Sequence, residues 1–220
     1  MRSFCNKLYS AYDAILIQAN MIFSTVRTRL CFAIQGCVIG NGFRSTGRIC
    51  IKARANGDIV LGDYVRLLAH WRSNRVGLSG PVILQTWEGG KIEIGDHSGA
   101  SSVVISSRSG VRIGRHVNIG GNVRIFDHDF HALDAAVRRS PRDCQNCATR
   151  PITIGDDVFI GAESMILKGV EIGDRTIVGA GSVVTRSFPA DVVVCGNPAT
   201  VVRVLNPVPR TASGEYSIGN

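Results

Sequence analysis

Aromatic residues are scarce in this chain, at 6% of the total, whereas glycines number 25 and Val and Ile are frequent. That balance argues against helical packing and for tightly turned β structure. An even set of cysteines is also missing: Cys5, Cys31, Cys37, Cys50, Cys144, Cys147 and Cys195 make seven. The disulfide framework of a small secreted domain is thereby excluded, and free thiols in a reducing cytosol are expected. Cys144 and Cys147 have the spacing of half a zinc site, but no second pair lies nearby and four ligands are needed, so no metal is expected. No apolar run is long enough to span a bilayer: the patch from Ala14 to Phe23 is broken by Gln18 and Asn20, and no small-residue cleavage site follows it. Nor is any basic run interleaved with aromatics, which removes nucleic acid as a partner despite a formal charge of +8. Phosphates on a cofactor, an acidic glycan or a membrane surface account for that charge equally well. A length of 220 residues leaves no room for a second full domain.

What the chain does have is a repeat. Ile154, Ile160, Ile166, Ile172, Val178 and Val184 put a β-branched aliphatic residue at every sixth position. A second lane of small or β-branched side chains runs through Val158, Ser164, Val170, Thr176 and Ser182. A six-residue period fits neither a helix nor simple strand alternation, so each unit is a short strand plus a turn. Three units close one triangular coil, and the aliphatic side chain points inward onto its equivalent one coil away. The glycine that follows it, at Gly155, Gly161, Gly173 and Gly179, is expected to permit the tight corner. The pattern recurs at Ile39-Gly40, Leu61-Gly62-Asp63, Ile94-Gly95-Asp96, Ile113-Gly114 and Ile119-Gly120. Spacing from Asn56 to Gly90 is irregular, and the coils there are expected to be decorated.

Leu8, Tyr12, Ile15, Ala19, Ile22 and Val26 follow alternating steps of four and three, and so share one face of a helix over residues 1–30. That apolar face is expected to dock on its own β-structure or on a sister subunit. The alternative is peripheral contact with the inner membrane surface, assisted by Lys7, Arg27 and Arg29. The expected organisation is this helix, a repeat domain over 31–205 with a protruding loop at 127–150, and a tail at 206–220.

From about Gly110 to Leu205 the chain resembles the hexapeptide-repeat acyltransferases, among them the maltose, galactoside and nodulation-type O-acetyltransferases and exopolysaccharide-modifying relatives. The resemblance rests on the run from Pro151 to Ala162 (PITIGDDVFIGA), on the run from Gly179 to Arg186 (GAGSVVTR), and on the closing segment Gly196 to Arg203 (GNPATVVR). It implies an all-β fold, a left-handed parallel β-helix, against the usual right-handed crossover rule. It also implies a homotrimer with sites between subunits and acetyl-CoA as co-substrate.

The repeat stops at Asp127-His128-Asp129-Phe130-His131. Acyl transfer to a hydroxyl needs a base at the attacking oxygen, and imidazole titrates closest to neutral pH. The family uses one histidine; His131, in His131-Ala-Leu-Asp134, best matches its His-Pro-Leu-Asp form, and His128 is the rival. Asp127 or Asp129 is expected to orient the imidazole. Ser101 and Ser102 stand where the family has an acceptor-binding asparagine, and with Asp127 they are the expected acceptor contacts. Carried over by position, Phe159, Gly161, Ala162, Gly179 and Ala180 line a pantetheine channel, Thr185 with Arg186 meets the amide and phosphate portions, and Arg203 meets the ribose phosphate.

The expected function is therefore acetyl-CoA-dependent O-acetylation of a sugar hydroxyl in surface-polysaccharide or glycan assembly, by direct transfer, in the cytoplasm or at the inner face of the membrane. The alternatives are a nucleotide-sugar N-acetyltransferase, a β-helix carbonic anhydrase, for whose three zinc-binding histidines His116, His128 and His131 lack the spacing, and a non-catalytic scaffold.

Overall fold

The computed structural model describes residues 2–205; the tail at 206–220 lies outside them, as does the side chain of Lys7. The chain winds as a left-handed parallel β-helix whose three faces are three sheets. On the first face Ile39, Leu61, Ile94, Ile113, Ile154 and Ile172 stack in register. Leu67, Ala100, Ile119, Ile160, Val178 and Val194 form the second ladder, and Ile51, Leu84, Ile105, Ile125, Ile166 and Val184 the third. The six-residue period thus becomes an aliphatic core one side chain wide on each face, in which Leu67, Ile160 and Ile166 have no exposed surface. The second lane lines the inner corners. There the hydroxyls of Ser164 and Ser182 both donate to the carbonyl of Gly179, at 3.0 and 2.6 Å.

The glycine after each aliphatic residue has a different role from the expected one. The left-handed backbone falls on Tyr64, His97, His116, Asp157, Arg175 and Asp191 instead, at φ near 60°. Gly114 is required because a Cβ there would sit 2.7 Å from the carbonyl of Gly155 in the next coil. Close stacking of coils, and not backbone freedom, selects glycine here.

The irregular stretch is one excursion. Residues 70–81 leave the corner between the second and third faces as an arm. Asn74 ties it to the Ser101 hydroxyl at 2.8 Å, and Asn122 ties it to Ser79 N and Gly77 O at 3.0 Å each.

Helix α1 (Arg2–Ile34) lies across the open end of the first coil, burying the polar side chains of Asp13, Ser24 and Thr28 and, at its last turn, Phe32. An unpaired strand edge exposes N–H and C=O groups that need partners. Here Ser45 N–H donates to Thr25 Oγ1 at 2.9 Å, Gly47 N–H to Asn20 Oδ1 at 2.9 Å, and Gln35 bonds both Ile51 O and Ala53 N. Asp13 ties the helix to the arm through Arg72 and Arg75. The expectation that the apolar face docks on the chain's own β-structure is therefore reversed. Ile15 and Ile22 are 66% and 58% exposed, because the strand edge demands hydrogen bonds that only the polar face supplies. Thr25→Val leaves the Ser45 amide without its partner and should cost about 1–2 kcal/mol, a drop in Tm of a few degrees that Thr25→Ser does not show.

Candidate active site

The coil register breaks after strand Arg124–Phe126, and residues 127–150 leave from the corner between the third and first faces. Asp127 sits at the neck of this loop with no exposed surface. Its carboxylate accepts from the amides of Arg108, Ser109 and Gly110 at 2.7–2.8 Å and from the Ser107 hydroxyl at 2.8 Å, and it faces His128 Nδ1 at 3.0 Å. Its backbone carbonyl takes the Arg150 amide at 2.9 Å, closing the neck. Burial by itself pushes this carboxyl up, but the bonds from His128 and the three amides outweigh it and hold the group below its ordinary 3.8.

Every lone pair of Asp127 thus faces a protein donor, and none faces an acceptor. The structure corrects the expected substrate contact to a positioning role. A carboxyl with a lower pKa folded than unfolded stabilises fully above the unfolded value and loses that contribution as pH falls through the folded value. Asp127→Asn should therefore cost about 2–4 kcal/mol at pH 7. In melts taken at successively lower pH, the gap between variant and parent should narrow only below about pH 4.

The two histidines stand in different surroundings. His128 is 4% exposed, its ring packed against Phe130 and edge-on to Trp87, with centroids 4.7 and 6.4 Å away. Because ionised Asp127 only accepts, Nδ1 of a neutral His128 carries the proton, and Nε2 is left buried without a partner. The His131 side chain is 66% exposed, and its Nδ1 lies 2.7 Å from Asp143 Oδ2. The other Asp143 oxygen accepts the Ala132 amide at 2.7 Å. These two bonds hold the Asp143 carboxyl below the usual carboxylate range, His131 contributing most.

Asp143 is the orienting carboxylate that sequence reasoning missed. It lies on a short 3-10 turn, Asp143–Asn146, at no fixed spacing from the histidine, so no sequence signal marks it. Asp129, expected to be catalytic, touches neither imidazole: it pairs with Lys168 at 2.5 Å, and its second oxygen is buried without a partner. Asp134 caps helix α2 (Ala135–Arg138) by accepting from Ala136 N and Val137 N.

On the outer side of the second face a groove of about 440 Å³ runs between Phe159, Ala162, Asn118 and Gly120 and the arm residues Asn74 and Val76. Ser101 lines it, and Ser102 donates to Gly80 O at 2.6 Å. Gly161 is buried behind it, where a Cβ would meet Ala180 N at 2.4 Å; its role is coil stacking. Gly179 and Ala180 lie one coil farther on. Thr185 and Arg186, both exposed, occupy the corner of the histidine loop, and Arg203 is exposed on the closing strand Ala199–Val204. The structure therefore brings Phe159 and Ala162 together and sets Arg203 on the same outward lane of the second face, in register with Phe159 through Ile177 and Val193, but leaves Thr185 and Arg186 at a different corner. In a triangular prism the corner between the third and first faces is the one opposite the second face. One chain alone keeps imidazoles and groove on opposite sides. His116 stacks on His97 at yet another corner, 4.9 Å between centroids, away from His128 and His131. Among the described residues no group of three His, Cys, Asp or Glu is arranged to hold a metal ion.

Comparison with known proteins agrees with this architecture. The family model described as the hexapeptide repeat of succinyl-transferase matches residues 151–186. A Saccharomyces cerevisiae protein named as an acetyltransferase is 38% identical over 116 residues, 52% of this chain and 57% of its own. A 2,3,4,5-tetrahydropyridine-2,6-dicarboxylate N-acetyltransferase of Staphylococcus aureus is 43% identical over 61 residues, 28% of this chain and 26% of the relative. The chain thus spans little more than half the length of the yeast relative. Among solved structures, a hexapeptide-repeat acetyltransferase of Vibrio cholerae with bound acetyl-CoA superposes with a TM-score of 0.53 at 26% identity, covering 83% of this chain and 78% of that one. The chain thus carries the hexapeptide repeat on a left-handed β-helix and is similar, over about half its length, to acetyltransferases.

Proposed function

We propose that the chain is an acetyl-CoA-dependent O-acetyltransferase acting on a sugar hydroxyl in glycan or surface-polysaccharide assembly, with His131 as its base. The observation that carries this reading is an exposed imidazole whose Nδ1 is held by a carboxylate, leaving Nε2 free to take a proton. His128 is equally well oriented but sealed behind aromatic rings. In the reaction Nε2 removes the proton of the acceptor hydroxyl, and the oxygen attacks the thioester carbonyl. The tetrahedral intermediate collapses with cleavage of the C–S bond, and the imidazolium returns its proton to the departing thiolate. No acyl-enzyme is needed. Acetyl-CoA bound in the Vibrio cholerae structure supports the donor.

Pantetheine would lie along Phe159 and Ala162. Since groove and imidazole are on opposite sides of one prism, each site would be completed by a neighbouring copy through a head-to-tail contact, and the homotrimer that the resemblance implies is one ring that such a contact closes. Thr185 and Arg186, on the imidazole's corner, would then meet the cofactor from the adjacent chain. Transfer to an amine is the second reading, supported by the Staphylococcus aureus N-acetyltransferase. Thiol release from acetyl-CoA, measured with sugars paired as hydroxyl and amino forms, separates them. Turnover only with the amino forms would overturn the first reading.

The apolar stripe of α1 is read as a contact with another copy. Its four-three spacing is that of a helix seam, and Arg27 and Arg29, which an interfacial helix would turn toward lipid, are engaged with Gly47 O and Gly40 O at 3.2 and 3.0 Å. Ile15→Ser with Ile22→Ser should lower the assembly mass in light scattering. Flotation of the parent with anionic vesicles would contradict this and favour the membrane.

A further inference from the structure

The third-to-first corner holds a second cavity that the mechanism above does not use. It measures about 620 Å³ and is lined by Lys52, Arg54, Trp87, Arg108, Cys144 and Gln145, with Thr86 and Glu88 completing the rim. We propose that this cleft is the acceptor's anion subsite: it binds a phosphate or carboxylate carried by the sugar and lays the sugar ring on Trp87. The proposal rests on the acetyl-transfer reading and names the substrate class for it, an anionic sugar.

The composition of the cleft carries the argument. Three cationic side chains line it against one carboxylate, Glu88. None of Lys52, Arg54 and Arg108 forms an ion pair among the described residues. Such a cluster repels itself until an anion enters, and guanidinium with ammonium is the donor set that phosphate and carboxylate use. Arg108 is held ready: one end donates to Cys144 O at 2.7 Å, its guanidinium carbon lies 4.7 Å from the Trp87 ring centroid, and its Nε is buried with no protein partner. The Trp87 indole N–H donates to Ser106 Oγ at 3.1 Å, which fixes the ring, and Lys52 Nζ stands 5.8 Å from its centroid. A fixed aromatic plane beside cations suits a sugar ring with an acidic substituent.

Location adds a second argument. Cys144 and Gln145 directly follow Asp143, which holds His131, and Trp87 is edge-on to His128. An acceptor anchored here has its hydroxyls on the corner where the base stands. Of the loop's own arginines, Arg138 is spent on the carbonyls of Ala132 and Leu133.

The test uses the full chain with three acceptor types: a nucleoside-diphosphate sugar, a uronic-acid oligosaccharide and a neutral oligosaccharide. An anionic acceptor should show a KM about tenfold or more below the neutral one, and whether the diphosphate or the uronate is preferred identifies the source of the anion. The double variant Lys52→Ala, Arg54→Ala should erase that advantage while kcat and the KM for acetyl-CoA stay put. Equal KM values for anionic and neutral acceptors in the parent overturn the proposal. A rise in the acetyl-CoA KM alone also overturns it, by assigning the cleft to the cofactor's own phosphates. Calorimetry with inorganic pyrophosphate and with glucuronate, at saturating coenzyme A, needs no turnover. Binding of either that the double variant loses supports the subsite even if every acceptor fails and the acetyl-transfer reading falls. No binding of either overturns the subsite and leaves the transfer reading standing.

Discussion

His131→Ala should lower the proposed acetyl transfer by about 10²- to 10⁴-fold, the range expected when a positioned general base is removed, with binding of acetyl-CoA expected to be kept. The groove that would receive pantetheine contains no atom of the 127–150 loop, so calorimetry should return the parent's affinity for coenzyme A. Asp143→Asn should cost about 10- to 100-fold in kcat, because the amide preserves shape but removes the charge that steadies an imidazolium. His128→Ala is the discriminating control. Its ring packs among Trp87 and Phe130, so its loss should lower Tm more than it lowers kcat in the protein that remains folded. The opposite pattern, with transfer abolished by His128→Ala and retained by His131→Ala, moves the base to the buried histidine and requires the loop to open during turnover.

The second large effect comes from mixing chains. Ala162→Trp fills the groove on the second face and should raise the KM for acetyl-CoA by about 100-fold or more, since a slender chain cannot share that space with an indole. Alone, with acetyl-CoA held near the parent's KM, each variant should turn over at no more than about a few hundredths of the parent rate. Unfolded together and refolded as an equal mixture, they should regain about a quarter of the parent's activity. In a cyclic assembly each site then draws an intact groove from one variant and an intact imidazole from the other in one pairing of four. If both parts of a site belonged to one chain, the mixture would stay at that level. That single result distinguishes sites between copies from sites within them.

Several side chains behave differently from what their sequence context implies, and in each case the reason is a partner far away in the chain. Asp129 sits beside a histidine but is drawn to Lys168, which arrives from the next coil at 2.5 Å. Asp143 has an unremarkable neighbourhood yet becomes the partner of His131, because the loop folds back on its own neck. The apolar stripe of α1 faces outward, because the strand Arg44–Gly47 offers unpaired backbone groups to whatever covers it, and Asn20, Ser24, Thr25 and Arg27 meet them. The glycines of the Ile-Gly-Asp triplets answer to the coil above them, whose backbone lies within 3 Å of where a Cβ would be.

The fold was legible in the amino-acid order because a β-helix is built from contacts at a fixed short separation. A residue six places on stands on the next face, and each aliphatic lane is its own core, so Ile154 through Val184 announce the prism without a partner. The place where the repeat stops was legible for the same reason, and with it the Asp127 to His131 segment. Only the tertiary structure decided which carboxylate holds which imidazole, which face of α1 is covered, and that the imidazoles and the groove stand on opposite sides of the prism. Those depend on how a loop without periodicity closes and on which backbone edges remain unpaired, and neither leaves a regular spacing to read.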